Sequence, residues 1–74
     1  MKLYTIKNAV DGRYLYNGVL YMINPDYYDY NFKLNCKPKT YKTEKGINEM
    51  LAFLKGCYPD DKEKFNFKIV EINY

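Results

Sequence analysis

Residues 43–58 read Thr-Glu-Lys-Gly-Ile-Asn-Glu-Met-Leu-Ala-Phe-Leu-Lys-Gly-Cys-Tyr, and this stretch decides the fold. Ile47, Met50, Leu51, Leu54 and Tyr58 fall at i, i+3, i+4, i+7 and i+11, a single apolar stripe of helical period. Phe53 and Cys57 flank the stripe, and Lys45, Asn48, Glu49, Ala52 and Lys55 lie off it. Thr43 is the expected N-cap, with Glu44 placed where the helix dipole favours a carboxylate. Gly46 weakens the first turn by about 1 kcal/mol relative to alanine. Gly56 and Pro59 supply stop signals. A helix with one apolar stripe must bury it against another layer, and the rest of the chain supplies strands.

Downstream, Phe65, Phe67 and Ile69 face one side, and Val70, Ile72 and Tyr74 the other. That change of phase predicts a strand buried on both faces for part of its length, or a bulge. It is expected to lie beside the first strand. Upstream, Lys2 to Asn8 alternates, with Tyr4 and Ile6 on one face and Leu3 and Thr5 on the other. Asp11-Gly12 reads as a turn, and Arg13 to Tyr16 as a short strand. Asn17-Gly18 has the composition of a type I′ hairpin turn, with Val19 to Ile23 as its partner strand. Asn24-Pro25-Asp26 breaks that strand. Tyr28, Tyr30, Phe32, Leu34 and Cys36 then alternate with Asp29, Asn31, Lys33, Asn35 and Lys37, the pattern of a strand with one buried and one wet face. The expected architecture is a single α+β domain over residues 1–74. Its order is β-β-β-β-α-β: a mostly antiparallel sheet of four to five strands with one helix on one face.

Composition excludes much chemistry. The chain has 74 residues and a net charge of +3, which leaves room for one small domain. It contains no His, Ser, Gln or Trp. A Ser-His-Asp triad and a Cys-His pair are therefore excluded. Two cysteines, Cys36 and Cys57, are too few for a structural zinc site without histidine, and no CxxC motif exists. A disulfide between them is arithmetically open, but both are expected to be small buried apolar side chains. No nucleotide-binding glycine motif is present. Asp60, Asp61 and Glu63 sit in a charged loop beside Lys62 and Lys64, away from any expected cleft, and so short a chain leaves little volume for a pocket. No enzymatic activity, metal or cofactor is expected. The longest uncharged stretch, Tyr14 to Pro25, is shorter than the ~20 residues a membrane span requires. No signal-peptide pattern opens the chain.

Two surfaces stand out as binding candidates. Tyr14, Tyr16, Tyr21, Tyr27, Tyr28 and Tyr30 crowd the first half. Some fit the core, but an exposed tyrosine offers stiff, amphipathic contact area. Tyr27 is out of phase with its neighbours and is expected to face solvent. Asp26, Tyr27 and Asp29, with Tyr16 and Tyr21, form the candidate partner-binding surface. The second candidate is basic. Lys33, Lys37, Lys39, Lys42 and Lys45 stand against Glu44 alone and run into a helix N-terminus, where free amides favour anions. Tyr41 among them offers a stacking surface. Lys37, Lys39, Tyr41, Lys42 and Lys45 are the candidate nucleic-acid or nucleotide site. One arginine leaves little means of reading guanine.

Eleven Lys, eight Asn and ten Tyr against one Arg and two Ala point to AT-rich codons and a low-GC bacterium or its phage. The stretches LYTIKNAVDGRYL at 3–15, KTYKTEKGINEMLAFL at 39–54 and FNFKIVEI at 65–72 together cover most of the chain. Their layout resembles small phage and prophage host-interaction proteins of such bacteria, including anti-CRISPR and other anti-defence inhibitors. The resemblance implies a non-catalytic protein that occupies a host protein's surface in the bacterial cytoplasm. A monomer or homodimer is expected, since so small a core gains from the burial a dimer adds. It matches no family's motif residue by residue and assigns no functional residues.

Overall fold

The computed structural model describes residues 2–73. The helix α2, Glu44–Cys57, forms where its stripe predicts. Thr43 caps it, its Oγ1 accepting from the Gly46 amide at 3.0 Å. Glu44 and Lys55 occupy the first and last turns, each at the favourable end of the dipole. Ile47, Met50 and Leu54 are buried, and Tyr58 continues the stripe beyond the last turn.

Among the described residues four strands form one antiparallel sheet, in the order β3 (Phe32–Lys33), β2 (Tyr14–Leu15), β1 (Lys2–Asn8) and β4 (Phe67–Asn73). β1 (Lys2–Asn8) and β4 (Phe67–Asn73) pair along their whole length, from Lys2 opposite Asn73 to Asn8 opposite Phe67. The expected neighbour relation of first and last strands holds. The register is unbroken, so the alternative of a bulge at Ile69-Val70 is excluded. Phe67 is buried on the α2 side, Ile69 is exposed at the edge, and Val70 and Ile72 are half-buried on the other face. The expected continuation at Tyr74 lies outside the described residues.

β2 (Tyr14–Leu15) is shorter than the strand expected over 13–16. It meets β1 only at Tyr14 opposite Lys7. Below that pair the strands part and segment 39–41 fills the gap. Tyr41 exchanges backbone hydrogen bonds with Tyr4 at 2.8 and 2.7 Å, and Lys39 N–H donates to the Leu15 carbonyl at 2.7 Å. The buried Thr5 hydroxyl donates to the Lys39 carbonyl. At the β1–β2 turn, Gly12 takes the positive φ of 79° expected of Asp11-Gly12.

The middle of the chain departs from expectation in two places. The Asn17-Gly18 hairpin and the Val19–Ile23 strand do not form. Neither Asn17 nor Gly18 adopts the positive φ a type I′ turn demands. The amides of Tyr16 and Asn17 are instead claimed by the Asn31 carbonyl at 2.6 and 3.3 Å, and Leu20–Met22 curls into a 3₁₀ turn. The strand expected from Tyr28 to Cys36 is likewise mostly absent. Asn24-Pro25-Asp26 acts as a helix start rather than only a strand breaker. The Asn24 side chain accepts from the Asp26 amide at 3.0 Å, and Pro25 stands at a first-turn position where its missing N–H is harmless. A 3₁₀ turn at Pro25–Tyr27 leads into α1 (Tyr28–Asn31), leaving only β3 (Phe32–Lys33) extended. Faces change accordingly: Tyr30 and Leu34, expected in the core, are exposed, and Asn31, expected wet, is fully buried.

The core joins the α2 stripe to Ile6, Leu15, Ile23 and an aromatic cluster. Phe32 stacks on Tyr28 at 5.0 Å and meets Phe67 at 5.1 Å, while Tyr58 packs edge-on against Phe65 and Phe67. Among the described residues, the buried Tyr58 hydroxyl has no hydrogen-bond partner, and neither has Asn31 Oδ1. Burial pushes the Tyr58 phenol up to about 12; the neighbouring Asn31 amide offsets part of that rise without reaching hydrogen-bond geometry. Removing an unsatisfied buried hydroxyl relieves a desolvation penalty of about 1–3 kcal/mol. Tyr58→Phe is therefore expected to leave stability unchanged or raise it by about 1 kcal/mol. Urea denaturation checks this, and a loss of more than about 1 kcal/mol would give the hydroxyl a partner it lacks here.

Candidate partner-binding surface

Two buried asparagines organise the surface that carries the tyrosines. Asn31 gathers the segment between β2 and β3. Its carbonyl receives the Tyr16 and Asn17 amides, and its Nδ2 donates to the Met22 carbonyl at 2.7 Å and the Tyr27 carbonyl at 3.1 Å. Each of these bonds lies at, or one residue from, a tyrosine that points outward. Tyr16 is 46%, Tyr21 84%, Tyr27 40% and Tyr30 62% exposed. Tyr27 and Tyr30 tilt against each other with ring centroids 6.2 Å apart. Lys33 Nζ lies 4.7 Å from the centre of the Tyr16 ring.

Asn8 is the second hub. It is fully buried at the end of β1, and all of its side-chain capacity is used. Nδ2 donates to the Tyr28 hydroxyl at 2.8 Å and the Lys64 carbonyl at 2.9 Å; Oδ1 accepts from the Asn66 amide at 2.9 Å and the Val10 amide at 3.2 Å. Tyr28 OH in turn donates to Asp11. Burial first, and this bond second, hold the Tyr28 phenol well above its ordinary range. Arg13 closes the network, donating to Asp29 at 2.6 Å with Asp11 at 3.7 Å.

Of the five residues expected at the partner surface, Tyr16, Tyr21, Asp26 and Tyr27 are exposed on the segments Asn31 gathers. Asp29 is also exposed, but its carboxylate is committed to Arg13, so it braces the scaffold. Tyr30 belongs with the exposed group, although alternation alone places it in the core. The basic candidates are less well gathered. Lys37, Lys39, Lys42 and Lys45 are exposed, and Lys39 Nζ lies 5.7 Å from the Tyr41 ring centre. Tyr41 is half-buried, paired with Tyr4, and its phenol is raised by burial. Thr43 already occupies an α2 N-terminal amide, so the anion site expected there is partly filled from within.

The expectation of little pocket volume is corrected. A cleft of ≈ 460 Å³ lies at the α2 C-terminus, lined by Lys55, Tyr58, Asp60, Lys62, Phe65 and Asn66 among others. Asp60 thus lines a cleft from which it was expected to stand apart. Asp61 instead serves its own turn, accepting from the Glu63 amide at 3.0 Å. Cys36 and Cys57 are free thiols, half-buried rather than buried. Among the described residues, no group of three or more His, Cys, Asp or Glu side chains comes together, and no helix is long and apolar enough to cross a membrane. Neither hub asparagine was legible from its own position, because a buried and an exposed asparagine look alike in one sequence. No protein-family model, curated protein or solved structure matches the chain.

Proposed function

We propose that the chain is a non-catalytic binding protein that acts by covering the surface of a protein partner. The observation that carries this reading is the group of outward tyrosines, Tyr16, Tyr21, Tyr27 and Tyr30, held on segments that buried Asn31 ties together. Tyrosine anchors on a braced scaffold lose little side-chain entropy on binding and bury much area. The composition and the layout support a phage or mobile-element origin. The partner is then a host protein in the bacterial cytoplasm, blocked as anti-defence inhibitors of the anti-CRISPR kind block theirs.

The test is affinity capture from a low-GC bacterial lysate, paired with phage plating on a defended host expressing the chain. Wild type is expected to retain a specific host protein and to raise plating efficiency. Loss of one tyrosine anchor removes ~2 kcal/mol, about thirtyfold in affinity. A Tyr21→Ala/Tyr27→Ala/Tyr30→Ala variant that keeps its circular dichroism is expected to lose both effects. Identical capture and plating by wild type and variant would remove the proposal.

A further inference from the structure

The sheet places a second, chemically different surface on the face turned away from α2. Leu15 and Phe32 pair across β2 and β3 and are both fully buried in the core. The adjacent row therefore points the other way, because successive strand residues alternate sides. The register defines that row: Lys33 opposite Tyr14, Tyr14 opposite Lys7, and Lys7 opposite Lys68. It crosses all four strands, about 14 Å at the usual spacing between strands. The other strand positions on this face are Leu3, Thr5, Val70 and Ile72, so the strands bring no carboxylate to it. Glu71 lies on the opposite face, paired with Lys2 at 3.0 Å.

This row is unfavourable on its own terms. Like charges directly opposite in a sheet destabilise it, and Lys7 faces Lys68. Among the described residues, none of the three lysines pairs with a carboxylate. Two of them rest on phenol rings instead: Lys7 Nζ is 5.5 Å from the centre of Tyr14, and Lys33 Nζ is 4.7 Å from that of Tyr16. Such a contact is worth about 0.5–1 kcal/mol at an exposed site, so an ammonium leaves its ring readily for a phosphate. The exchange frees the ring for a base.

We infer that this sheet face binds single-stranded nucleic acid, with Lys33, Lys7 and Lys68 on phosphates and Tyr14 and Tyr16 as stacking surfaces. A broad sheet face does not enter a duplex groove, which admits a helix or a two-stranded ribbon. Unpaired bases, by contrast, can lie flat on it. The inference is independent of the tyrosine surface that Asn31 organises beyond Tyr16.

The experiment is fluorescence anisotropy of a short labelled oligothymidylate titrated with the full chain at several salt concentrations. Three phosphate contacts on a single strand predict a slope of about −2 in log affinity against log salt. Lys68→Gln, at an exposed position, is expected to flatten the slope by about 0.7 with the fold intact. Tyr14→Ala is expected to weaken binding about tenfold, and Tyr14→Phe to restore it, since stacking needs the ring and not the hydroxyl. A duplex of the same length is expected to compete poorly. Three results overturn the inference. One is no binding at low salt. A second is heparin binding equally well with no dependence on Tyr14. The third is loss of binding on replacing Lys37, Lys39, Lys42 and Lys45 by Gln, with none on replacing Lys7, Lys33 and Lys68.

Discussion

Asn8→Ala is expected to destabilise the fold by about 3–5 kcal/mol, more than a typical core methylene deletion. The substitution removes four hydrogen bonds at once. It strands the Asn66 amide and the Lys64 carbonyl at a position that is fully closed to water around the side chain. Each buried group left unpaired costs about 1–3 kcal/mol. A 74-residue domain holds roughly 4–11 kcal/mol in total, so this loss is a large share of its stability. The damage also spreads, because the Asn8 side chain joins the β1–β2 turn, Tyr28 and the loop entering β4. Urea denaturation by circular dichroism measures the loss.

Asn8→Asp separates the hydrogen bonds from the shape. One oxygen still accepts from Val10 and Asn66, but the other now faces the Lys64 carbonyl, with which only a protonated carboxyl can bond. Burial and that carbonyl raise the introduced group's pKa above the unfolded value of about 3.9. The sign follows: the protonated form mimics the asparagine, so its contribution is present below about pH 3.9 and is lost as pH rises through the folded pKa. The deficit against wild type at equal pH is expected to be smaller at acid pH than at neutral pH. An equal deficit at both would show that shape alone matters at this position.

The parts of this fold that were legible in the sequence are those whose pattern is long and whose partner is unambiguous. α2 spans four turns with a capping threonine and one stripe, so no other element fits it. β1 and β4 are seven-residue strands that pair along their length. Residues 17–36 depart from their sequence pattern for a physical reason. Alternation holds for ten residues, Tyr28 to Lys37, but the helix start at Asn24-Pro25 claims Tyr28–Asn31, and Asn35 takes a positive φ of 52° just beyond Phe32–Lys33. Asn-Pro-Asp carries two meanings, strand breaker and helix start, and the Asn24 side-chain bond selects the second. The tyrosine surface is partly visible in the sequence: Tyr16, Tyr21 and Tyr27 stand out there, whereas Tyr30 falls in the alternating run that does not form a strand. The lysine row was invisible, because its four residues come from four segments that only the register aligns.

Phe32→Ala is expected to cost a further-reaching 3–5 kcal/mol, about 12–40 °C in melting temperature for a domain this small. β3 contributes only two residue pairs to the sheet. Hydrogen bonds on that scale do not hold an edge strand, and packing must do so. Phe32 supplies it: the ring is fully buried, stacked on Tyr28 and in contact with Phe67 and, edge-on, Tyr58. It thereby links α1, β4 and the end of α2. Removing the ring leaves a cavity at the junction, and the surrounding rings are too rigid to close it. Phe32→Leu keeps most of the volume and is expected to cost less than about 1.5 kcal/mol. Tyr30→Ala, two residues away on the exposed surface, is expected to stay within about 0.5 kcal/mol. Thermal unfolding of the three variants ranks them directly. If Phe32→Ala fell as close to wild type as Tyr30→Ala, the aromatic cluster would not be what fastens β3, and the tyrosines on either side of it would lose the rigid footing that binding requires.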